Sequence, residues 1–197
     1  MPDLSLEALH PHPVCGIDEV GCGPLYGPVV AAAVILDRNN LPPDLNDSKK
    51  LSRPRREAAF EAIQSTAQVG IGEAGVEEID RVNILQATYL AMTRALAALP
   101  TPPDFALIDG NRIPPDLPCA AESIVKGDSK SASIAAASII AKVHRDHIMA
   151  KLAEAHPGYG WERNAGYGTA EHLRALKELG PTPHHRRSFA PIHKILV

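Results

Sequence analysis

Residues 14–30, VCGIDEVGCGPLYGPVV, constrain the fold of this chain more than any other stretch. An apolar run ends there at two adjacent carboxylates, Asp18 and Glu19, and a turn rich in glycine and proline leads into a second apolar run over residues 29–36. Two such runs joined by a Gly/Pro turn predict adjacent strands, because glycine supplies unusual dihedral angles and proline is excluded from central strands. Asp18 and Glu19 are therefore predicted to lie where the first strand ends.

The glycines of this turn do not match a nucleotide-binding loop. A dinucleotide-binding fingerprint has the spacing G-x-G-x-x-G and opens a helix. Here Gly21, Gly23 and Gly27 are spaced differently, and the following VVAAAVIL continues as a strand. We therefore disfavour a dinucleotide-binding function.

Length and composition are those of an ordinary globular protein. The 197 residues, 45% hydrophobic and 22% charged, suit one domain or one domain with an appendage. The sequence shows neither an apolar span of about eighteen residues nor a signal peptide, so we expect a cytoplasmic protein. Cys15, Cys22 and Cys119 form no C-x-x-C pattern, which argues against a disulfide framework or a zinc site.

The positive charges are grouped, although the net charge of -3 does not by itself indicate nucleic-acid binding. An ordinary solvated surface also produces such groups. The three groups are Lys49, Lys50, Arg53, Arg55 and Arg56; Lys126, Lys130, Lys142 and Arg145; and His184, His185, Arg186 and Arg187. We expect the third group to form a basic surface tail that touches duplex, and Trp161 to be a packing residue.

The remaining chain alternates between periodic segments and loops rich in proline and glycine. Caps and periodicity predict helices over residues 54–65, 83–99, 131–155 and 169–179, and strands over residues 68–74, 105–108 and 123–125. The early hairpin connections indicate antiparallel pairing, and the later strands are compatible with parallel pairing. The pattern predicts a mixed sheet with helices on both faces, an α/β fold.

Four carboxylates follow apolar strands at glycine-containing turns: Asp18, Glu19, Asp109 and Asp128. Clustered carboxylates repel one another unless cations intervene, and hard oxygen ligands suit Mg²⁺ or Mn²⁺. Sites with two such ions hydrolyse phosphodiesters, so this is the chemistry that a cluster would imply.

Each carboxylate also has a local explanation. Asp109 begins a good turn sequence, and Asp128 could cap the helix that starts nearby. Neighbouring strand residues point to opposite faces, so the strand is expected to distort at Glu19 if Asp18 and Glu19 serve one metal.

The chain resembles ribonuclease HII, the type 2 ribonuclease H. The resemblance rests on blocks that follow the family's order over most of the chain: residues 14–30 quoted above, then NDSKKLS, EIDRVNILQATYLAM, LIDGN, VKGDS, AAASIIAKVHRD, GYGT and HHRRSF. It implies a ribonuclease H-like mixed five-stranded sheet flanked by helices, with a C-terminal helical extension. The expected division is a catalytic core over residues 1–157 and a C-terminal helical segment over residues 158–197.

The resemblance also implies an activity. Such an enzyme cuts the RNA strand of RNA/DNA hybrids and the 5′ side of ribonucleotides embedded in duplex DNA, with Mg²⁺ or Mn²⁺ as cofactor. The expected products carry 5′-phosphate and 3′-hydroxyl ends. The expected partners are RNA/DNA hybrids and duplex DNA that contains ribonucleotides, with no membrane, and the protein is expected to be a monomer.

By position, the resemblance assigns metal binding and catalysis to Asp18, Glu19, Asp109 and Asp128, and substrate binding to Gly21, Cys22, Gly23, Ser48, Lys49 and Tyr167. Tyr167 matches the aromatic residue that stacks on the deoxyribose next to the ribonucleotide; packing within its loop is the alternative. Ser48 and Lys49 resemble residues that approach the strand backbone.

One position departs from the family pattern. The family usually has Gly-Arg-Gly where this chain has Gly21-Cys22-Gly23, so a cation is missing from the loop that reads the 2′-hydroxyl. We expect catalysis to survive and incision at isolated ribonucleotides to weaken.

Two other functions are open from the sequence. Cys22 between glycines could be a nucleophile, with His144 or His147 as its base. The chain could also be a non-catalytic module that binds hybrids.

Overall fold

A five-stranded sheet forms the centre of the protein. The computed structural model describes residues 1–196, with strands in the order β3-β2-β1-β4-β5. The strands are β1 (Val14–Val20), β2 (Val29–Leu36), β3 (Ala67–Ala74), β4 (Phe105–Asp109) and β5 (Ala120–Ile124). Pairing is antiparallel between β1 and β2 and between β2 and β3, and parallel between β1 and β4 and between β4 and β5. The predicted mixed sheet is confirmed.

Helices cover both faces of this sheet. They are α1 (Arg53–Thr66), α2 (Val76–Ala97), α3 (Ala132–Ala155), α4 (Trp161–Asn164), α5 (Ala170–Leu179) and α6 (Ala190–Leu196). One face packs against α2, and the opposite face packs against α1 and α3. Within residues 1–196, no helix is long and apolar enough to span a bilayer.

Glycines in the strands let two helices approach the sheet closely. A β-carbon at Gly16 of β1 would lie 2.1 Å from the carbonyl carbon of Ser133 in α3. A β-carbon at Gly72 of β3 would lie 2.1 Å from the carbonyl oxygen of Ala91 in α2. Both distances are far below van der Waals contact, so these two positions accept no side chain without moving a helix.

Helix α2 begins earlier than the sequence predicts. Asn83 does cap a helical segment, because its Oδ1 accepts the N–H groups of Leu85 and Gln86 at 3.0 and 3.2 Å. Its backbone is not helical (φ 70°), so it marks a kink inside α2. The helix starts before this kink, and Glu78 caps its N-terminus by accepting the Gly75 N–H at 3.0 Å.

The C-terminal segment is a packed element, contrary to the expected basic surface tail. His185 and Arg186 are both 0% exposed, whereas Arg187 is exposed. The segment lies against a cluster of aromatic and aliphatic side chains around Tyr26 and Trp161. Trp161 stacks on Tyr26 with ring centroids 3.4 Å apart, which confirms its packing role. The sequence prediction failed for His185 and Arg186 because charge and polarity were taken as signs of exposure.

A chain of hydrogen bonds fixes the proton positions of two buried histidines. The Thr182 N–H donates to His185 Nδ1 at 2.9 Å, which leaves the His185 proton on Nε2. His185 Nε2 lies 3.1 Å from His172 Nε2 and donates to it, as Trp161 Nε1 also does at 3.1 Å. The His172 proton is therefore on Nδ1, which donates to the Tyr167 carbonyl at 2.9 Å. Both rings must be neutral for this arrangement to hold.

We predict that this arrangement makes the fold sensitive to acid. Burial, with the nearby His172 as a smaller cause, lowers the pKa of His185 from 6.5 to about 4. Between pH 6.5 and about 4, His185 is therefore protonated in the unfolded chain but neutral in the folded chain. The free energy of unfolding falls as the pH drops through this range. From pH about 7.5 to about 5, His185 should remove about 2 kcal/mol from the free energy of unfolding.

Urea unfolding of the wild type and of His185→Asn at the two pH values measures this effect. The variant is expected to be less stable at the higher pH and to lose less stability on acidification. His193→Gln, which removes an exposed histidine, is the control and should keep the wild-type pH dependence. An unchanged pH dependence in His185→Asn would contradict the prediction.

Candidate active site

The four carboxylates singled out in the sequence surround one cleft at an edge of the sheet. Asp18 and Glu19 lie near the end of β1, Asp109 ends the parallel neighbour β4, and Asp128 lies in the 3-10 turn Gly127–Ser129 that precedes α3. Parallel neighbours have their carboxyl ends at the same edge, which is why residues so distant in sequence meet. All four side chains line the same cleft.

Strand β1 continues without distortion through Glu19, whereas a distortion there is expected if Asp18 and Glu19 serve one metal. Regular antiparallel pairs continue through Asp18 with Ala32 and Glu19 with Ala31. Glu19 also lines a second, mainly apolar depression against α2, beside Ile84. The two carboxylates thus leave β1 on opposite faces. Both reach the cleft because the parallel pairing of β1 with β4 ends just before them, at Ile17.

Local roles do not account for Asp109 and Asp128. Asp109 Oδ1 accepts the Gly127 N–H at 2.7 Å, so it ties the end of β4 to a distant turn. The cap of α3 is Ser131, whose Oγ accepts the Ile134 N–H at 3.1 Å, so Asp128 does not cap α3.

Burial and the clustered negative charge raise the pKa of three of the carboxylates. Burial first, and then the charges of Glu19 and Asp109, raise the pKa of Asp18 well above 3.8. Burial and the charge of Asp109 also raise the pKa values of Glu19 and Asp128, which nearby Lys49 partly offsets. Raised pKa values of this kind indicate carboxylates whose negative charge is not fully balanced by nearby cations.

A divalent cation fits this set of ligands. Carboxylate oxygens are the ligands that Mg²⁺ and Mn²⁺ prefer, and the repulsion described above is what such an ion would relieve. Among residues 1–196, no three His, Cys, Asp or Glu side chains converge tightly enough to hold an ion as they stand.

Three predicted substrate-binding residues line the same cleft: Ser48, Lys49 and Tyr167. Ser48 is buried, and its N–H donates to Ser138 Oγ at 3.3 Å. Lys49 is exposed. Tyr167 is 49% exposed, so its ring is available to a ligand and is not buried in its own loop.

The loop Gly21-Cys22-Gly23 lies beside the cleft. Gly21 has a φ of 96°, and a β-carbon there would lie 2.4 Å from Arg145 Nε. A β-carbon on Gly23 would lie 3.4 Å from the Tyr167 ring, so this end of the loop faces Tyr167. Cys22 lines the apolar depression next to Glu19.

The surroundings of Cys22 disfavour a cysteine nucleophile. Burial raises the pKa of its thiol, whereas an activated cysteine needs a lowered one. The thiol lies 3.4 Å from Thr88 Oγ1. His144 pairs with Glu73 at 2.7 Å and His147 with Glu57 at 3.3 Å, so the two proposed bases have other partners.

Three residues of α3 that the sequence motifs did not single out as site residues also line the cleft: Ser138, Lys142 and Arg145. Lys142 Nζ donates to Asp146 at 2.5 Å. The three are separated by four and three residues, the spacing of one helix face, and this periodicity could have identified them.

Comparison with known proteins agrees with this architecture. The family model for ribonuclease HII matches residues 15–192. Ribonuclease HII of Paramagnetospirillum magneticum is 64% identical over 100% of both chains. The crystal structure of ribonuclease H2 from Pyrococcus horikoshii OT3 superposes with a TM-score of 0.77 at 26% identity, covering 92% of this chain and 96% of that one.

A more distant structure shares the fold. Bst-RNase HIII in complex with Mn²⁺ superposes with a TM-score of 0.74 at 23% identity, covering 93% of this chain and 68% of that one. Because the family model spans most of the chain and the bacterial relative matches it from end to end, the chain belongs to the ribonuclease HII family and is an enzyme of the ribonuclease H class.

Proposed function

We propose that the protein cuts the RNA strand of RNA/DNA hybrids and the 5′ side of single ribonucleotides in duplex DNA. The reaction is phosphodiester hydrolysis that leaves 5′-phosphate and 3′-hydroxyl ends. The observation that supports it most is the shared cleft of Asp18, Glu19, Asp109 and Asp128, which three separate segments build. Family membership supports the same reaction class.

The four carboxylates would hold the divalent ions. When bound, Mg²⁺ or Mn²⁺ would supply an activated water and charge stabilisation for the leaving oxygen. Asp109 is pre-positioned by the Gly127 N–H, and Asp18 by the Glu19 N–H at 2.7 Å. These bonds occupy one oxygen of each carboxylate and leave the second oxygen for an ion.

Residues around the carboxylates would bind the substrate. The half-exposed ring of Tyr167 offers a flat surface for a deoxyribose. Lys49 adds a positive charge for the strand backbone, and Ser48 lies beside it. The backbone of Gly21 and Gly23 could address the 2′-hydroxyl, the group that distinguishes RNA from DNA.

We also propose that residues 1–157 form the catalytic core and that residues 158–197 complete one side of the cleft. Tyr167 comes from the second part, and the aromatic cluster around Trp161 joins the second part to the Tyr26 region of the first. The C-terminal segment would then contribute to recognition as well as to stability.

Cleavage of three labelled duplexes tests the proposed function: a long RNA/DNA hybrid, a DNA duplex with one ribonucleotide and an all-DNA duplex. We expect cleavage of the first two, none of the third, full loss in chelator and recovery on adding Mg²⁺ or Mn²⁺. Binding that persists in chelator without cleavage under any metal would instead favour a non-catalytic hybrid-binding module.

We predict that Asp109→Asn abolishes most cleavage without weakening the fold. Asparagine keeps the oxygen that accepts the Gly127 N–H, but it removes a negative charge that raises the pKa values of Asp18 and Glu19. Activity should fall at least about 100-fold, the upper end of the loss seen when a residue merely supports a metal ligand. The melting temperature in chelator should stay the same or rise.

The matched control is Asp104→Asn, which makes the same chemical change at an exposed position. It should keep wild-type cleavage rates. Near-wild-type cleavage by Asp109→Asn would show that this carboxylate has no part in the reaction.

We predict that Cys22→Arg increases incision at a single ribonucleotide by about 10- to 100-fold. An added guanidinium could make a charge-assisted contact with the adjacent phosphate, worth about 1.5 to 3 kcal/mol. The depression beside Cys22, with a volume of about 220 Å³, gives the longer side chain room. Single-turnover rates on the single-ribonucleotide duplex and on the long hybrid measure the effect.

Cys22→Ser is the control, since it removes the thiol and adds no charge. It should cut as the wild type does, whereas a cysteine nucleophile would lose its activity. No gain for Cys22→Arg on the single-ribonucleotide duplex would reject the idea that the missing cation limits incision.

A further inference from the structure

Arg186 is fully buried and donates hydrogen bonds to the loop of residues 21–28, which joins β1 to β2 and is called the glycine loop here. Its guanidinium donates to three carbonyl oxygens: those of Gly21 at 2.6 Å, Cys22 at 3.1 Å and Gly27 at 3.0 Å. None of these acceptors is a carboxylate. A second buried arginine, Arg145, donates to the carbonyl oxygens of Tyr26 and Pro28, each at 3.0 Å. Guanidinium groups thus bind carbonyl oxygens at both ends of the loop, near Gly21 and near Pro28.

Burying the Arg186 guanidinium in this way costs free energy, which suggests that the side chain has a role other than packing. A buried cation without a carboxylate partner loses hydration that carbonyl groups only partly replace. Burial and the charge of Arg145 lower the pKa of Arg186 to about 9, so it remains protonated at neutral pH. An aliphatic side chain could fill the same space, but it could not bind the loop carbonyls.

The orientation of the loop follows from the planarity of the peptide bond. In a trans peptide unit, the C=O and N–H groups point in opposite directions. Since Arg186 holds the carbonyls of Gly21 and Cys22, the N–H groups of Cys22 and Gly23 point away from it. Within residues 1–196, neither N–H donates to another residue. Two adjacent free N–H groups, with Gly23 beside Tyr167, can bind an oxyanion or a hydroxyl oxygen.

The position of Arg186 is itself secured by its neighbours in the chain. Its N–H donates to the Leu25 carbonyl at 2.9 Å, which links it again to the loop region. The next residues, Arg187 and Ser188, donate their N–H groups to Asp80 of α2 at 3.0 and 2.9 Å. The guanidinium is therefore fixed from both the loop and α2.

We propose that Arg186 is a positioning residue for substrate recognition. It holds the N–H groups of Cys22 and Gly23 toward the ribonucleotide, where they bind its 2′-oxygen or the adjacent phosphate. The Arg186 guanidinium lies on the opposite side of the loop, where its positive charge attracts the phosphate without contacting it. This inference rests on the proposed recognition of ribonucleotides in duplex DNA.

Binding affinity measured in chelator, where no cleavage occurs, tests the proposal. The quantity is the ratio of dissociation constants for an all-DNA duplex and for the same duplex with one ribonucleotide. In Arg186→Lys, which keeps the charge but loses the fork of donors, the ratio should fall at least about 5-fold while all-DNA affinity changes little. A general weakening of the fold would leave the ratio unchanged.

Tyr159→Phe is the matched control. It removes the 2.6 Å hydrogen bond from the Tyr159 hydroxyl to the Gly180 carbonyl in the same C-terminal cluster. Among residues 1–196, this hydroxyl makes no hydrogen bond to the loop or to Tyr167. It should keep the wild-type ratio. A folded Arg186→Lys with the wild-type ratio overturns the role of Arg186. A wild type that does not distinguish the two duplexes overturns the proposed recognition itself, and this inference with it.

If Arg186→Lys does not fold, an experiment on the wild type tests whether the Cys22 N–H contacts the ribonucleotide, as the proposal requires. Labelling only the cysteines with ¹⁵N reports three backbone amides, Cys15, Cys22 and Cys119. The ribonucleotide-containing duplex should shift the Cys22 amide more than the all-DNA duplex does, while buried Cys15 stays in place. Equal shifts of Cys22 with both duplexes would show that its N–H does not read the ribonucleotide.

Discussion

The cleft depends on the direct backbone contact between helix α3 and strand β1. At Gly16 the strand meets the first turn of the helix with no side chain between them. The first turn of α3 follows the Asp128 turn, and Asp18 lies two residues beyond Gly16 on the same face of β1. The contact therefore sets the separation between the carboxylates of two distant segments. A larger residue at Gly16 would push α3 away and widen the site.

The same end of α3 is secured by a buried acid from the N-terminal segment. Glu7 is 3% exposed, and its Oε1 accepts bonds from Ser131 Oγ at 2.7 Å and from the Ser133 N–H at 2.8 Å. A carboxylate at a helix N-terminus interacts favourably with the helix dipole. Glu7 thus stabilises the turn that bears Asp128, although it lies outside the cleft.

The sequence predicted elements whose signals are local and failed where tertiary contacts decide. Strand β2 was predicted at its observed bounds, since an apolar run between turn residues has few alternatives. The convergence of Asp18 and Asp109 is predictable because both follow strands. The chemistry of clustered carboxylates points to a divalent cation, and the family resemblance assigns these positions to a metal site. The burial of His185 and Arg186 has no local sequence signal. Their polar groups bond to a histidine and to carbonyl groups that are remote in the sequence.

The charges of the site also bear on how an acidic protein would bind the nucleic acid proposed as its substrate. The formal net charge is -3, and four of the negative charges lie in the cleft. Two divalent ions bound there would balance those four charges and leave the rest of the protein slightly positive. Lys49, Lys142 and the buried guanidinium groups would then dominate the local potential. Metal binding and nucleic-acid binding should accordingly be coupled, because each lowers the electrostatic cost of the other.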